Sequence, residues 1–179
     1  MASKQMAVKP TTKSQAVEIA QDQLQKRGFN GFSFQDVADS LGIKKASLHY
    51  YFGSKEELGL ALIMEYQTAF AGWTEKVAAL PVKQKLDKFL HIFSSMTKDE
   101  FKICPMGVLC SDLNTLPVKM KNKLREFHDE QRKWLTRTLQ QGIHDGVIKK
   151  SIDADCIADT LLSTIQGSLQ LAQIGRAHV

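Results

Sequence analysis

The side chains that could do chemistry are concentrated between residues 45 and 52. On a helical wheel, Leu48 and Phe52 fall within about 40° of each other and can face a core. The opposite face combines a small residue with a hydroxyl, an imidazole and a phenol, carried by Ala46, Ser47, His49 and Tyr50. Such a face can approach a major groove closely and reach base edges or phosphates, which indicates nucleic-acid binding.

Two short predicted helices position this face. One covers Phe34–Leu41 and the other Lys45–Tyr51, with Gly42 in the turn between them, which are the dimensions of a helix-turn-helix unit. Ser33 is a suitable N-cap for the first helix, and Asp36 is the acid of a capping box. A packed three-helix domain that binds no nucleic acid is the alternative interpretation.

Charge is distributed unevenly along the 179 residues. The chain has 24 Lys and Arg against 19 Asp and Glu, a net charge of +5. Residues 1–55 hold eight basic and four acidic residues, or +4, whereas residues 56–179 hold sixteen and fifteen, or +1. A basic first third indicates a polyanion-binding end, with Lys45 and Lys55 as predicted phosphate clamps.

Almost the whole chain is predicted to be helical, so the fold class is all-α. The four prolines stand where helices could begin or break, and no stretch of alternating residues is long enough for a sheet. The first helix is predicted after Pro10, with Thr11 or Thr12 as N-cap, and the fourth from Ser54 to about Leu80. Further helices are predicted over about 82–97, 105–112 and 118–141, and from about 153 to 173.

Composition excludes several classes of protein. No apolar run is long enough for a membrane helix, and the first residues do not have the pattern of a signal peptide. Three cysteines are too few for a disulfide scaffold. We therefore expect a soluble, cytoplasmic protein with no membrane contact.

Residues 16–58, and above all 32–58, resemble the DNA-binding domain of TetR-family transcriptional regulators. The shared features are a Lys-Arg-Gly-Phe turn, a Ser-capped helix, a Leu-Gly-Ile turn, an aromatic-rich helix and a Phe-x-Ser-Lys-Glu-Glu-Leu segment. The resemblance implies a three-helix DNA-binding domain over residues 1–56, joined by a long fourth helix to a helical effector-binding and dimerisation domain over residues 57–179. It also implies a homodimer that binds a double-stranded DNA operator and is a repressor released by a small-molecule effector.

The resemblance also implies which residues meet DNA. Ser33 and Gln35 would contact the backbone, and Lys55 would anchor a phosphate at the start of the fourth helix. The recognition surface would be formed by Lys45, Ala46, Ser47, His49, Tyr50 and Tyr51. Lys44 departs from the pattern, since many members have a capping Ser or Thr there, so we expect an added phosphate contact and a weaker helix cap.

An effector pocket is predicted from apolar side chains of the second domain: Phe89, Phe93, Met96, Cys104, Met106, Met120, Phe127 and Trp134. His91 or His128 would supply a polar group. A plain hydrophobic core is the alternative interpretation, because such residues at helical spacing are also what a bundle buries.

Cys104 motivates a second hypothesis. Residues 102–113 resemble the Cys-Pro-x-Gly-x-Leu segment that opens the sixth helix in a subset of the family. At a helix N-terminus Cys104 would have a lowered pKa and could sense electrophiles or oxidants, whereas the alternative is a buried small side chain. A disulfide with Cys110 is excluded, because the two lie about 120° and ~9 Å apart on one helix.

Enzymatic chemistry has no support in the sequence. It has no metal-ligand spacing, phosphate loop, nucleophile elbow or paired-carboxylate motif. We therefore expect no cofactor, no metal and no catalytic residue, and a helical small-molecule carrier or enzyme is a remote third hypothesis.

The C-terminal end is predicted to be incomplete. Similar regulators continue through the eighth helix and add a ninth that completes the dimer interface, whereas the eighth helix here is predicted to end near Gln173. Ile174–Val179 has the sequence that a widely used sequencing adapter encodes, so we expect a read-through artefact on a truncated gene. An exposed apolar face on the eighth helix, poor solubility or a weak dimer would follow.

Overall fold

Eight α-helices form the part of the chain that the structure describes. The computed structural model describes residues 11–96, 104–172 and 174, and within these ranges no strand occurs. A single 3-10 turn, Leu113–Thr115, precedes the seventh helix. The helices are α1 (Thr12–Arg27), α2 (Phe34–Ser40), α3 (Lys45–Tyr51), α4 (Lys55–Val77), α5 (Val82–Met96), α6 (Pro105–Ser111), α7 (Val118–His144) and α8 (Ala154–Ala172). The predicted all-α class is confirmed.

Local capping explains where the first helices begin. The Thr11 side chain accepts a hydrogen bond from the backbone N–H of Ser14 at the start of α1. At α2 the predicted capping box is present: the Ser33 N–H donates to the Asp36 carboxylate over 2.6 Å, and the Asp36 N–H donates to the Ser33 hydroxyl over 3.2 Å. Hydrogen bonds that the Asp36 carboxylate accepts, first from the Ser33 side chain and then from the Ser33 N–H, hold the pKa of Asp36 below its usual value. At α3, Lys44 occupies the N-cap position without a side-chain cap, as its residue type predicts.

Helices α1 to α3 pack around a small apolar core. Leu48 and Phe52 are both buried there, as the helical wheel predicts, against Leu24 and Val37. Leu41, predicted as the last residue of this helix, is half-buried and lies in the turn, because α2 ends at Ser40. Burial of Leu48 places the opposite face of α3 on the surface of the molecule.

The second part of the chain is a bundle in which α4 and α7 run parallel. At their N-terminal ends Gly59 lies against the Met120 side chain. Further along, the Gln67 amide donates to the Glu130 carboxylate over 3.0 Å, and the rings of the two tryptophans, Trp73 and Trp134, lie 4.9 Å apart. Helix α8 packs on α7 and is held by a two-pronged ion pair between Arg132 and Asp159.

The ends of the long helices differ slightly from the predictions. Helix α4 stops at Val77, three residues before Leu80, and α7 continues to His144 rather than ending at Gln141. The predictions about Gln173 and residues 175–179 lie outside the described residues, and Ile174 is exposed.

Two hydrogen bonds connect the turn after α1 with the segment at the end of α6. The turn after α1 donates the Phe29 N–H to the Asp112 carboxylate, at the end of α6, over 2.6 Å. Beside it, the Asn30 amide donates to the Thr115 hydroxyl over 2.7 Å. Gly28 has φ of 75°, and a Cβ there would lie 3.0 Å from Asp112 Oδ2, so the turn needs glycine both for its conformation and for this approach.

Candidate DNA-binding surface and effector cavity

The outward face of α3 presents the residues that the sequence assigned to base contacts. Ala46, Ser47 and Tyr50 are exposed, and Tyr50 has 86% of its surface accessible. Tyr51, at 38%, packs edge-to-face on Tyr50 with ring centroids 5.3 Å apart. The face is therefore an aromatic ridge on a helix of seven residues, short enough to enter a major groove end-on or along its axis.

His49 is held in one orientation from two sides. Its ring lies 4.6 Å from the Phe34 ring, and its Nδ1 lies 3.2 Å from the Gly53 carbonyl oxygen. A carbonyl only accepts, so Nδ1 carries the hydrogen and the neutral ring keeps Nε2 as an acceptor. In this form His49 can accept from an exocyclic amino group of adenine or cytosine.

The predicted backbone-contacting residues lie beside α3 on an exposed surface. The Ser33 hydroxyl caps α2, and the Gln35 amide donates to the Asp39 carboxylate over 2.7 Å. Lys44 and Lys45 are exposed at the start of α3. Ser33 and Gln35 lie at the start of α2 and the two lysines at the start of α3, so the predicted phosphate contacts come from two successive helices.

Lys55 points inward in the structure, and its role as a phosphate anchor stays a prediction. Its ammonium group donates to the carbonyl oxygens of Phe29 and Phe32 and lies 4.4 Å from the centroid of each ring. Burial lowers the pKa of Lys55, partly offset by the carboxylate of Asp112. The first turn of α4 directs the Lys55 side chain inward, where it fixes the turn between α1 and α2.

A cavity of about 280 Å³ opens between α4, α5, α6 and α7. Its described lining is apolar and aromatic with a few polar groups: Tyr66, Ala69, Phe70, Trp73, Phe89, Ile92, Phe93, Met96, Cys104, Met106, Phe127 and Gln131. The volume is near the lower end of the range for small-molecule sites. The structure therefore brings Phe89, Phe93, Met96, Cys104, Met106 and Phe127 together around one cavity, and their contact with a ligand remains a prediction.

Two residues predicted for this pocket lie elsewhere. Met120 is fully buried against Gly59 and Phe29, near the DNA-binding end of α4. Trp134 packs behind the wall, with its ring 4.9 Å from Trp73, and borders a different groove. Both residues share a face of α7 with Phe127 and Gln131 but lie at other levels along the helix, Met120 about two turns before Phe127 and Trp134 about one turn after Gln131.

The polar groups of the cavity also differ from the prediction. His91 and His128 are exposed and do not line it. Tyr66 and Gln131 line it instead, and burial raises the pKa of Tyr66, so its phenol stays protonated. Sequence reasoning missed both residues, because they lie on different helices and no local pattern relates them.

Cys104 is buried, which contradicts the predicted lowering of its pKa. Burial raises the pKa of the Cys104 thiol, with weaker opposing contributions from hydrogen bonds to the Gly107 N–H, the Gln166 side chain and the Met106 N–H. The N-terminus of α6 does lie at this thiol, but loss of water outweighs it. The alternative of a buried small side chain describes the geometry of Cys104.

The fold and these surfaces define a helix-turn-helix DNA-binding protein with a second, cavity-containing helical domain. Over the described ranges, none of the helices combines the length and apolar character that a bilayer crossing needs. A family model described as bacterial regulatory proteins, tetR family, matches residues 17–62, and one described as tetracyclin repressor-like, C-terminal domain, matches residues 82–178. The chain therefore belongs to the TetR family and is a DNA-binding transcriptional regulator.

Solved structures and curated relatives agree with this assignment. A TetR transcriptional regulator from Legionella pneumophila is similar with a TM-score of 0.85 and 31% identity, over 96% of this chain and 91% of that one. A TetR-family regulator from Agrobacterium tumefaciens has a TM-score of 0.83 and 26% identity, over 90% and 87%. The transcriptional repressor KstR2 of Mycolicibacterium smegmatis is 24% identical over 183 residues, covering 93% of this chain and 86% of the relative.

Proposed function

We propose that this protein is a repressor that binds operator DNA as a homodimer and is released by a small molecule in the cavity. The observation that carries DNA binding is the exposed face of α3, where Ala46 and Tyr50 project opposite the buried Leu48. Lys44 and Lys45 add charge at the start of this face for phosphate contacts. The named relative KstR2 is a repressor, which supports repression as the mode of regulation.

The cavity supports release because α6 connects it with the DNA-binding domain. Cys104 and Met106 at the start of α6 line the cavity, and Asp112 at its end accepts from the Phe29 N–H. The same turn is held by Lys55 at the start of α4. A ligand that displaces α6 or α4 would therefore shift α1 to α3 and change the spacing of two recognition helices in a dimer.

A groove on the outside of the bundle supports the homodimer. It is lined by Leu90, Phe93 and Ser94 on α5 and by Leu161, Ile165 and Leu169 on α8. Leu171, further along α8, is an exposed large apolar side chain. Sedimentation at micromolar concentration tests this element: a dimer that Leu171→Glu dissociates is expected, and a monomeric parent chain would refute it.

DNA footprinting with the full chain tests the proposed function. DNA enriched from a random pool should show two-fold symmetric protection, with half-sites about one helical turn or a multiple apart. The double variant Lys45→Glu, Tyr50→Ala should lose this protection. A matched control, Lys149→Glu with Val147→Ala, changes exposed residues beyond the far end of α7 and should protect DNA like the parent.

Two earlier hypotheses make different predictions in this experiment. If Cys104 were the sensor, Cys104→Ser would abolish release by electrophiles; its buried, protonated thiol argues against that role. A carrier or enzyme would keep its activity in the Lys45→Glu, Tyr50→Ala variant. A cytoplasmic location and a division into residues 1–56 and 57–179 belong to the same proposal, since the protein must reach DNA with one domain and the ligand with the other.

A further inference from the structure

Gln131 is a buried amide with an unfilled hydrogen-bonding capacity. Only 8% of the residue is exposed, and its side chain lines the cavity. Among the described residues its amide makes no hydrogen bond, and its nitrogen and oxygen are not among the fully buried polar atoms without a partner, so they are accessible from the cavity. The cavity is where a partner for this group can enter.

Tyr66 lies at nearly the same level of the bundle. Helices α4 and α7 run parallel, and Gln67 is hydrogen-bonded to Glu130. Tyr66 precedes the first of these residues and Gln131 follows the second, so the two differ by about two residues, or ~3 Å of helix rise. The phenol and the amide can therefore bind one polar group of a ligand together.

The rest of the wall is aromatic. Phe70 and Phe127 meet edge-to-face with centroids 5.9 Å apart, and Phe70 stacks on Trp73 at 5.8 Å. Phe89 meets Phe93 edge-to-face at 5.1 Å. Such a wall offers ring edges and faces to a flat aromatic ligand.

Charge and size limit the ligand further. Among the described residues that line the cavity, none is Asp, Glu, Lys, Arg or His. These described residues would desolvate an ion without supplying a counter-charge. A dry apolar cavity of about 150 Å³ accommodates one benzene ring, so about 280 Å³ has room for two fused rings.

We propose that the effector is an uncharged aromatic molecule of two fused rings bearing one hydroxyl or carbonyl group, which Tyr66 and Gln131 bind together. This inference rests on the proposed function, because it identifies the ligand class of the same cavity. The fused rings lie against Phe70, Trp73, Phe89 and Phe127, and the polar group faces the gap between α4 and α7.

Three probes of one shape test the ligand class by calorimetry on the full chain. They are 2-naphthol, its hydrocarbon analogue 2-methylnaphthalene, and 2-naphthoate, which is an anion at neutral pH. We expect 2-naphthol to bind about tenfold more tightly than the hydrocarbon, and the anion not to bind measurably. Binding of 2-naphthoate as tight as that of 2-naphthol, or binding of none of the three, would overturn the proposal.

Two conservative variants test the residues. Gln131→Leu and Tyr66→Phe should each weaken 2-naphthol roughly three- to tenfold and leave 2-methylnaphthalene within about twofold. Gln140→Leu, the same change at an exposed position of α7, should alter neither. An equal loss for both probes would show that these residues only support the fold.

Operator binding without any probe is measured in parallel. If the chain binds DNA but none of the probes, the proposed repressor function is supported and this ligand class is refuted. If the chain binds 2-naphthol in the expected pattern but no DNA, the ligand class is supported and the repressor function is refuted.

Discussion

Helix α3 and the wall of the cavity differ in where their core residues and their proposed functional residues lie. On α3, Leu48 is fully buried and Tyr50, two residues later, is 86% exposed, so the core and the proposed DNA contact fall on opposite faces. In the cavity wall, Phe89 is 1% exposed and lines the ligand space, so one side chain serves both the core and the site. Substitutions on α3 can therefore separate function from stability, whereas substitutions in the wall change both together.

The largest effect is expected in the wall. Phe89→Ala should lower the free energy of unfolding by about 3–5 kcal/mol, because it leaves a cavity that the surrounding rings cannot fill. Urea denaturation measures this loss. Met64→Ala, at a side chain of α4 that is 53% exposed, is the control and should cost less than about 1 kcal/mol. Similar losses for both variants would contradict the assignment of Phe89 to core and site at once.

Two lysines at the DNA-binding end test whether charge there contacts DNA or stabilises the fold. Lys55→Met should lower the unfolding free energy by about 1–3 kcal/mol, because the carbonyls of Phe29 and Phe32 lose their charged donor. Lys45→Met should leave stability within about 0.5 kcal/mol. In DNA titrations at several salt concentrations, Lys45→Met should reduce the slope of log K against log salt by about 1.8, because each protomer of the proposed dimer loses one contact of about 0.9, and Lys55→Met should leave it unchanged. A reduced slope for Lys55→Met would restore its predicted role as a phosphate anchor.

The exposed face of α3 should show an effect on function alone. Tyr50→Ala should weaken operator binding about tenfold, as expected for loss of one base contact, while the melting temperature stays the same. Fluorescence anisotropy with labelled operator measures the affinity. Tyr50→Phe distinguishes the hydroxyl from the ring: full retention of affinity would assign the contact to the ring. Unchanged affinity in Tyr50→Ala would remove this residue from the DNA interface.

The smallest effect concerns Cys104 and the pH dependence of stability. Burial raises the pKa of Cys104 above its ordinary value of 9.0, so the folded state keeps a proton that the unfolded state releases. Stability should therefore fall as the pH rises above about 9. Urea denaturation of the parent and of Cys104→Ala at pH 7 and pH 10 measures the difference, and Cys104→Ala should lack this contribution.

Thiol labelling gives an independent check on Cys104. At neutral pH the exposed Cys156 should react with an alkylating reagent well before the buried Cys104. Faster labelling of Cys104 would favour the thiol-sensor hypothesis over the hypothesis that the cavity binds an uncharged effector.

Several elements of the fold could be predicted from short segments alone. Thr11 and Ser33 cap α1 and α2, and the Ser33–Asp36 box forms as its spacing indicates. The wheel of α3 predicted both the buried Leu48 and the exposed Tyr50. These predictions succeed because a capping bond or a helix face depends on residues within one or two turns.

The cavity was predictable only in part. Its aromatic residues could be found from composition and helical spacing, but Met120 and Trp134 face other neighbours. Tyr66 and Gln131 were missed, since their relation arises only when α4 and α7 pack in parallel register.

The sequence by itself determined the helices, their caps, the exposed face of α3 and membership in a family of regulators. Only the tertiary structure decided that Lys55 faces the carbonyls of Phe29 and Phe32, that Cys104 loses its contact with water, and that Tyr66 and Gln131 share one cavity. The physical reason is that hydrogen bonds within a helix turn are local, whereas burial and the partners of a polar side chain depend on segments distant in the chain.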